Sequence, residues 1–101
     1  MTDMDHRAWI TVPGLRLEDE ACWEPFIEAL ERSAADYGPV LAFDNGAAQI
    51  VMSTDASTPK ADAVGAFVSA ISRALHDTGL LDLHPATIEL ETVDEPTRVA
   101  A

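Results

Sequence analysis

Residues 40–53 read VLAFDNGAAQIVMS, and this stretch decides the fold. An apolar run at residues 40–43 and a largely apolar run at residues 48–53 flank the tripeptide Asp44-Asn45-Gly46. Asn and Gly tolerate the positive φ angles that a tight turn between two antiparallel strands requires. The stretch therefore predicts a β-hairpin in the middle of the chain, with strand 2 before the turn and strand 3 after it.

A strand and a helix precede the hairpin. Residues 7–12 are rich in strand-forming types, and Pro13-Gly14 is expected to end that run. Pro25 interrupts the following helix, so we expect either a late start near Glu24 or a short turn followed by a kink. The apolar stripe of this helix consists of Phe26, Ile27, Leu30, Ala34 and Tyr37.

A helix and a strand also follow the hairpin. Thr58 is typical of an N-cap, and a helix is predicted over residues 59–77, with Gly79 after its end. Residues 86–93 alternate between apolar and acidic side chains, which indicates a last strand with one wet face. The apolar stripe of the second helix consists of Val64, Phe67, Val68, Ile71 and Leu75.

Each half of the chain thus has the order strand, helix, strand. The full order β-α-β-β-α-β is typical of a ferredoxin-like two-layer sandwich of the α+β class. We expect a four-stranded antiparallel sheet in the spatial order 4-1-3-2, with strands 1 and 3 parallel in its centre and two helices on one face. We expect one domain over residues 7–93, a flexible N-terminus at residues 1–6 and a flexible tail at residues 94–101.

The charge of the chain is unusual, because 18 acidic residues face six basic ones and the net charge is −12. The acids are spread along the whole chain, which favours a soluble, self-repelling surface. Binding to a basic partner is the alternative, and such binding would weaken with salt. Direct contact with nucleic-acid phosphates is disfavoured, because the Lys and Arg residues are scattered.

The cysteine content and hydropathy indicate a cytoplasmic protein. Cys22 is the only cysteine, which rules out an intrachain disulfide and a Cys-ligated iron–sulfur cluster within one chain. No apolar run is long enough to span a membrane, and residues 1–6 are acidic, unlike a signal peptide. We therefore expect no cofactor and no membrane partner.

Several polar loop residues are expected to meet at one end of the sheet. If strands 1 and 3 are parallel, the loops that enter both helices share this end with the start of strand 4. His84 with Asp19 or Asp55 could then form an acid–base or divalent-metal cluster, but the spacing matches no metal signature and solvation of polar loop residues explains them better. No catalytic residue or metal ligand is assigned, and His6 and the hairpin are expected at the opposite end.

A short motif suggests a ligand site at the same end. Val12-Pro13-Gly14-Leu15 resembles the Pro-Gly-Leu that follows the first strand of ACT domains, which are small amino-acid-binding regulatory modules. The resemblance implies that the glycine lets a ligand approach the backbone. Val12 stands where the family often has an acidic residue, and residues 16–23 delay the helix relative to the family. The resulting ligand-binding candidates are Pro13, Gly14, Arg16, His84 and Asp55.

Two other families are similar in element order alone. Acylphosphatases need an arginine-bearing loop after the first strand and an asparagine on the central sheet. Arg16 follows the first strand, but Asn45, the single asparagine, falls in the hairpin. RNA-recognition motifs need aromatic residues on strands 1 and 3 with basic residues around them, and Trp9 alone does not satisfy this requirement.

The sheet face away from the helices is the expected interaction surface. Alternation along strand 1 sends Ile10 and Val12 to the core, so Trp9 and Thr11 should lie on the uncovered face. Strand 3 should add either Gln49, Val51 and Ser53 or Ile50 and Met52 to this face. Strand 2 is apolar on both sides, so Leu41 or Phe43 should also be uncovered. An inward-turned Trp9 and a merely polar open face are the alternative. The expected interface residues are Trp9, Thr11, Val51, Leu41 and Phe43.

These features lead to three hypotheses about function. The first is a small acidic non-catalytic interaction or regulatory module that acts as a homodimer, or within a protein complex, through the open sheet face. The second is a small-molecule-binding regulatory domain that resembles ACT domains. The third is a small hydrolase or isomerase that uses His84 with Asp19 or Asp55.

Overall fold

The computed structural model describes residues 4–94, which form a four-stranded antiparallel sheet and two α-helices of the α+β class. The predicted order of elements is confirmed. Of the segments predicted to be flexible, residues 1–3 and 95–101 lie outside the described residues. Residues 4–6 belong to the first strand and Asp94 to the last strand, so the prediction is wrong at these positions. The elements are β1 (Met4–Arg16), α1 (Glu20–Ser33), a 3-10 turn (Ala35–Tyr37), β2 (Val40–Asp44), β3 (Ala47–Asp55), α2 (Lys60–Asp77) and β4 (Thr87–Asp94).

The strands lie side by side in the order β2-β3-β1-β4, which is the predicted neighbour order. All three pairings are antiparallel, including that of the central strands, where Trp9 lies opposite Val51. The prediction that strands 1 and 3 run parallel is therefore wrong. The crossover through α1 returns β2 in the direction of β1, and the hairpin then reverses the chain, so that β3 must oppose β1.

One hydrophobic core lies between the sheet and both helices. Ile10 and Ile50 point into it from the two central strands, and Phe26 of α1 and Phe67 of α2 close it from the other side; all four are fully buried. Tyr37 adds an edge-on contact to Phe67, with ring centroids 5.2 Å apart. Because both helices contribute to this one core, the opposite face of the sheet is covered by no described element.

Strand β1 continues through the Pro13-Gly14 pair, which was expected to end it. The pairing of β1 with β3 shifts between Val12 and Arg16, and the strand resumes with Arg16 opposite Ala47. Such an irregularity accommodates a proline, which has no N–H to donate to the ladder. The strand is therefore longer at both ends than residues 7–12.

Helix α1 begins at Glu20, four residues before the predicted late start at Glu24. The helix is continuous and contains Pro25, so neither the late start nor the short turn before a kink that the sequence predicted is observed. Proline has no N–H with which to bond the carbonyl of Ala21 four residues earlier, and Ala21 is exposed, so water can solvate that carbonyl. The main chain of Asp19 starts the helix by accepting from the N–H of Trp23 at 3.1 Å.

The hairpin at residues 44–47 confirms the prediction from the turn sequence. Its two central residues have positive φ angles, 54° at Asn45 and 81° at Gly46, as in the tightest hairpin turns. The Arg16 side chain lies over Gly46 and donates a hydrogen bond to the Asn45 carbonyl at 3.1 Å. The turn therefore depends on glycine both for its backbone conformation and for space.

Two glycine substitutions are expected to change stability in opposite directions. Gly46→Ala should lower the free energy of unfolding by about 1–2 kcal/mol, because a Cβ atom is strained at positive φ. Gly65→Ala should raise it by about 0.5–1 kcal/mol, because Gly65 lies within α2 with no neighbouring atom within 4 Å of the new Cβ. Urea unfolding of both variants measures this difference, and a shift of the same sign in both would contradict the account.

Candidate interaction surface

The polar loop residues that were predicted to share one end lie at opposite ends of the sheet. Asp55 pairs with Asp5, whereas the start of β4 near His84 is bonded to Thr11 through the N–H of Ala86 at 2.9 Å. The strand from Asp5 to Thr11 spans about 20 Å at ~3.3 Å per residue. His84 and Asp55 are therefore too far apart to share a proton, which excludes that acid–base pair.

The other proposed acid–base pair, His84 with Asp19, lies at the hairpin end of the sheet. Both residues are exposed, and within residues 4–94 no hydrogen bond or ion pair joins them. The part of the chain that the structure describes also contains no group of three or more His, Cys, Asp or Glu residues that could hold a metal ion. The arrangement thus provides neither a positioned base nor a metal centre.

His6 lies at the end of the sheet opposite the hairpin, because it pairs with Thr54 at the far end of β3, so the prediction that His6 and the hairpin share one end is wrong. The His6 side chain is buried there, with only 5% of the residue surface exposed. Its Nε2–H donates to the carbonyl oxygen of Thr58 at 2.9 Å, and its Nδ1 is 2.9 Å from Oγ1 of Thr92. The ring therefore ties β1 to β4 and to the segment before α2. Because both ring nitrogens are engaged within the fold, His6 has a structural role.

The ligand site suggested by Pro13-Gly14 is filled by the chain itself. The side chain of Leu83 packs directly on Gly14, at the place where a ligand would approach the backbone. Arg16 is engaged with the hairpin and with Glu18, whose Oε1 is 3.7 Å from Nε of Arg16. The loop after β1 is therefore closed by side-chain packing, although its residue types resemble those of a ligand loop.

Two shallow cavities lie near the helices and not at the predicted ligand residues. One, of about 200 Å³, is lined at the end of α2 by Leu75, His76, Leu81 and neighbouring side chains. The other, also about 200 Å³, lies between the end of α1 and α2. Both are smaller than the ~300–1,000 Å³ of ordinary small-molecule sites.

The open face, as defined here, is the side of the sheet away from the helices. Side-chain alternation places Trp9, Thr11 and Val51 on it, as the sequence predicted, because their neighbours Ala8, Ile10 and Ile50 are buried. Its residues are Asp5, Arg7, Trp9, Thr11 and Arg16 of β1, Val40, Ala42 and Asp44 of β2, Ala47, Gln49, Val51, Ser53 and Asp55 of β3, and Thr87, Glu89 and Glu91 of β4.

Strand β2 presents the opposite side to the one predicted. Leu41 and Phe43 pack against the core, so their predicted place on the open face is wrong. Leu41 lies opposite the buried Ile50, and side chains directly opposite each other share one face of a sheet. Val40, 58% exposed, and Ala42 take the open positions instead. Sequence alone could not find them, because every residue from 40 to 43 is apolar.

An apolar row crosses three strands of the open face. Val40 lies opposite Val51, and Val51 lies opposite Trp9, so the three side chains are consecutive neighbours. Trp9 and Val51 are half-buried, which is the burial that adjacent strands alone provide. The row ends at Glu89, which lies opposite Trp9 on β4.

No protein-family model matches the chain, and no curated protein is significantly similar to it in sequence. Among the described residues, no helix is long and apolar enough to cross a membrane. The open face is therefore the feature of the described residues that bears most directly on function.

Proposed function

We propose that this chain is a ferredoxin-like sandwich that works as a non-catalytic interaction module and binds a protein through its open face. The observation that carries the proposal is the apolar row Val40–Val51–Trp9, which lies in the middle of a sheet face that no described element covers. Folded monomers rarely leave contiguous apolar patches of more than about a few hundred Å² in water. A protein partner that packs on the sheet would cover this row.

The two other hypotheses have less support. An ACT-like ligand site needs free space over Gly14, and Leu83 occupies that space. A small hydrolase needs an acid and a base within hydrogen-bond reach, and the antiparallel sheet separates His84 from Asp55. The partner on the open face is either another protein or a second copy of the chain, and we expect the encounter in the cytoplasm.

Photo-crosslinking in living cells tests the proposal. A photoreactive amino acid at Gln49 lies on the open face, whereas the same group at the exposed Ser69 lies on α2, beside the cavity between the two helices and away from the open face. We expect a discrete crosslinked product from position 49 and none from position 69, because only the sheet face is proposed to contact a partner. Products from position 69 alone, or from neither position, would contradict the proposed function.

A further inference from the structure

The open face has an aromatic ring beside unpaired carboxylates. Trp9 lies opposite Glu89 on β4, and the Cβ atoms of such cross-strand pairs are about 4.5–5.5 Å apart. Glu91 follows on the same face, opposite Arg7. Trp9 is half-buried and both glutamates are exposed, so the ring is held in place while the carboxylates remain accessible.

The carboxylates of Glu89 and Glu91 have no partner among residues 4–94. Neither side chain forms a hydrogen bond or an ion pair there, although Arg7 lies directly opposite Glu91. Two accessible negative charges therefore border the ring on one side, and Val51 and Val40 border it on the other side. The surface combines a negative edge with an apolar centre.

This combination matches an arginine side chain. The face of an indole ring attracts cations, and a planar guanidinium can stack on the ring while it donates two hydrogen bonds to a carboxylate. An ammonium group carries the same charge but lacks the planar surface and the paired donors. We propose, building on the proposed function, that the open face binds an arginine-bearing basic segment of another protein, with the guanidinium stacked on Trp9 and bonded to Glu89.

The charges on the face argue against a second copy as the partner. In a twofold dimer the same surface meets itself, so Glu89, Glu91 and Asp44 of one copy would face a surface that carries the same acids, with Arg7 and Arg16 as the described bases on this face. Each copy also carries a net charge of −12. Like charges suppress such an encounter, whereas a basic segment is attracted to the face.

Titration with two capped peptides, hexa-arginine and hexa-lysine, tests the inference by NMR. The indole N–H signals of the two tryptophans provide an internal comparison, because the indole of Trp23 donates to the carbonyl of Leu17 at 2.9 Å, away from the open face. We expect hexa-arginine to shift the Trp9 signal to saturation and to leave the Trp23 signal in place. Hexa-lysine should bind about tenfold more weakly, since it loses the stacked, two-point contact.

A matched pair of charge-neutralising variants separates a specific site from bulk attraction. Glu89→Gln should weaken hexa-arginine binding about tenfold, because it removes the carboxylate that the guanidinium contacts. Glu31→Gln removes the same charge from an exposed position on α1 and should leave the affinity unchanged. Equal losses in the two variants, or shifts spread evenly over the acidic residues, would show attraction by net charge alone and overturn the inference.

The remaining outcomes separate this inference from the proposed function. If hexa-arginine leaves the Trp9 signal unmoved while light scattering shows a mass that doubles with concentration and depends on Trp9, a second copy occupies the face. That result would overturn the inference of an arginine-bearing partner, but it would remain consistent with the proposed function as an interaction module. If the Trp9 signal is unmoved and position 49 also gives no crosslink, both proposals fail.

Discussion

Ile50→Asp is expected to unfold the chain, whereas Val51→Asp, one residue further along the same strand, is expected to leave it folded. Ile50 is fully buried between Ile10 and Leu41, its neighbours on the two adjacent strands. An isolated carboxylate at that position costs several kcal/mol, roughly the whole stability of a small domain at about 5–15 kcal/mol. Val51 faces solvent on the open face, so its replacement leaves the new charge hydrated.

Far-ultraviolet circular dichroism and urea unfolding measure this contrast directly. Ile50→Val serves as a control for the buried position, and it should cost only about 0.5–1.5 kcal/mol. A folded Ile50→Asp variant together with an unfolded Val51→Asp variant would show that the core face and the open face of the sheet are assigned the wrong way round. Because the interaction surface is defined by those faces, this result would also remove the basis of the proposed function.

The local elements could be predicted from the sequence because each has a strong short-range signal. Asn45-Gly46 supplies the two positive φ angles of the hairpin, and the residues around it are apolar strands. The stripe of α2 places Phe67 and Ile71 on one helical face, and both are fully buried in the core. The position of Trp9 on the open face followed from the alternation of side chains along β1, because the neighbouring Ile10 is better suited to the core.

The relative direction of the central strands could also have been derived, since the predicted hairpin already reverses the chain between β2 and β3. The parallel arrangement assumed from the sequence was inconsistent with that turn. This error brought Asp55 and His84 together in the sequence-based picture, whereas they lie at opposite ends of the sheet. The candidate acid–base site was a consequence of this wrong strand direction.

Other features could not be predicted, because they depend on contacts between distant residues. The apolar residues of β2 give no alternating pattern, so the side facing the core is decided by pairing with β3. Leu83 fills the space over Gly14 although the two residues are far apart in sequence. Pro25 is accommodated within α1 because Ala21, whose carbonyl lacks its usual N–H donor, is exposed to solvent.

A second apolar surface competes with the open face for the role of interface. Leu81 is 69% exposed and lines the cavity at the end of α2, next to Leu80. This surface lies on the helix layer, away from Trp9 and Glu89 of the open face. The two surfaces therefore make different predictions about which substitution removes the partner.

The affinity of the partner captured from position 49, measured by calorimetry for three forms of the chain, tests the central claim most directly. Trp9→Ala should weaken binding by about 30-fold or more, because a central aromatic residue of an interface contributes about 2 kcal/mol or more. Leu81→Ala should change the affinity by less than about twofold, because this residue lies outside the open face. Unchanged affinity in Trp9→Ala, or a large loss in Leu81→Ala alone, would contradict the assignment of the open face as the interaction surface.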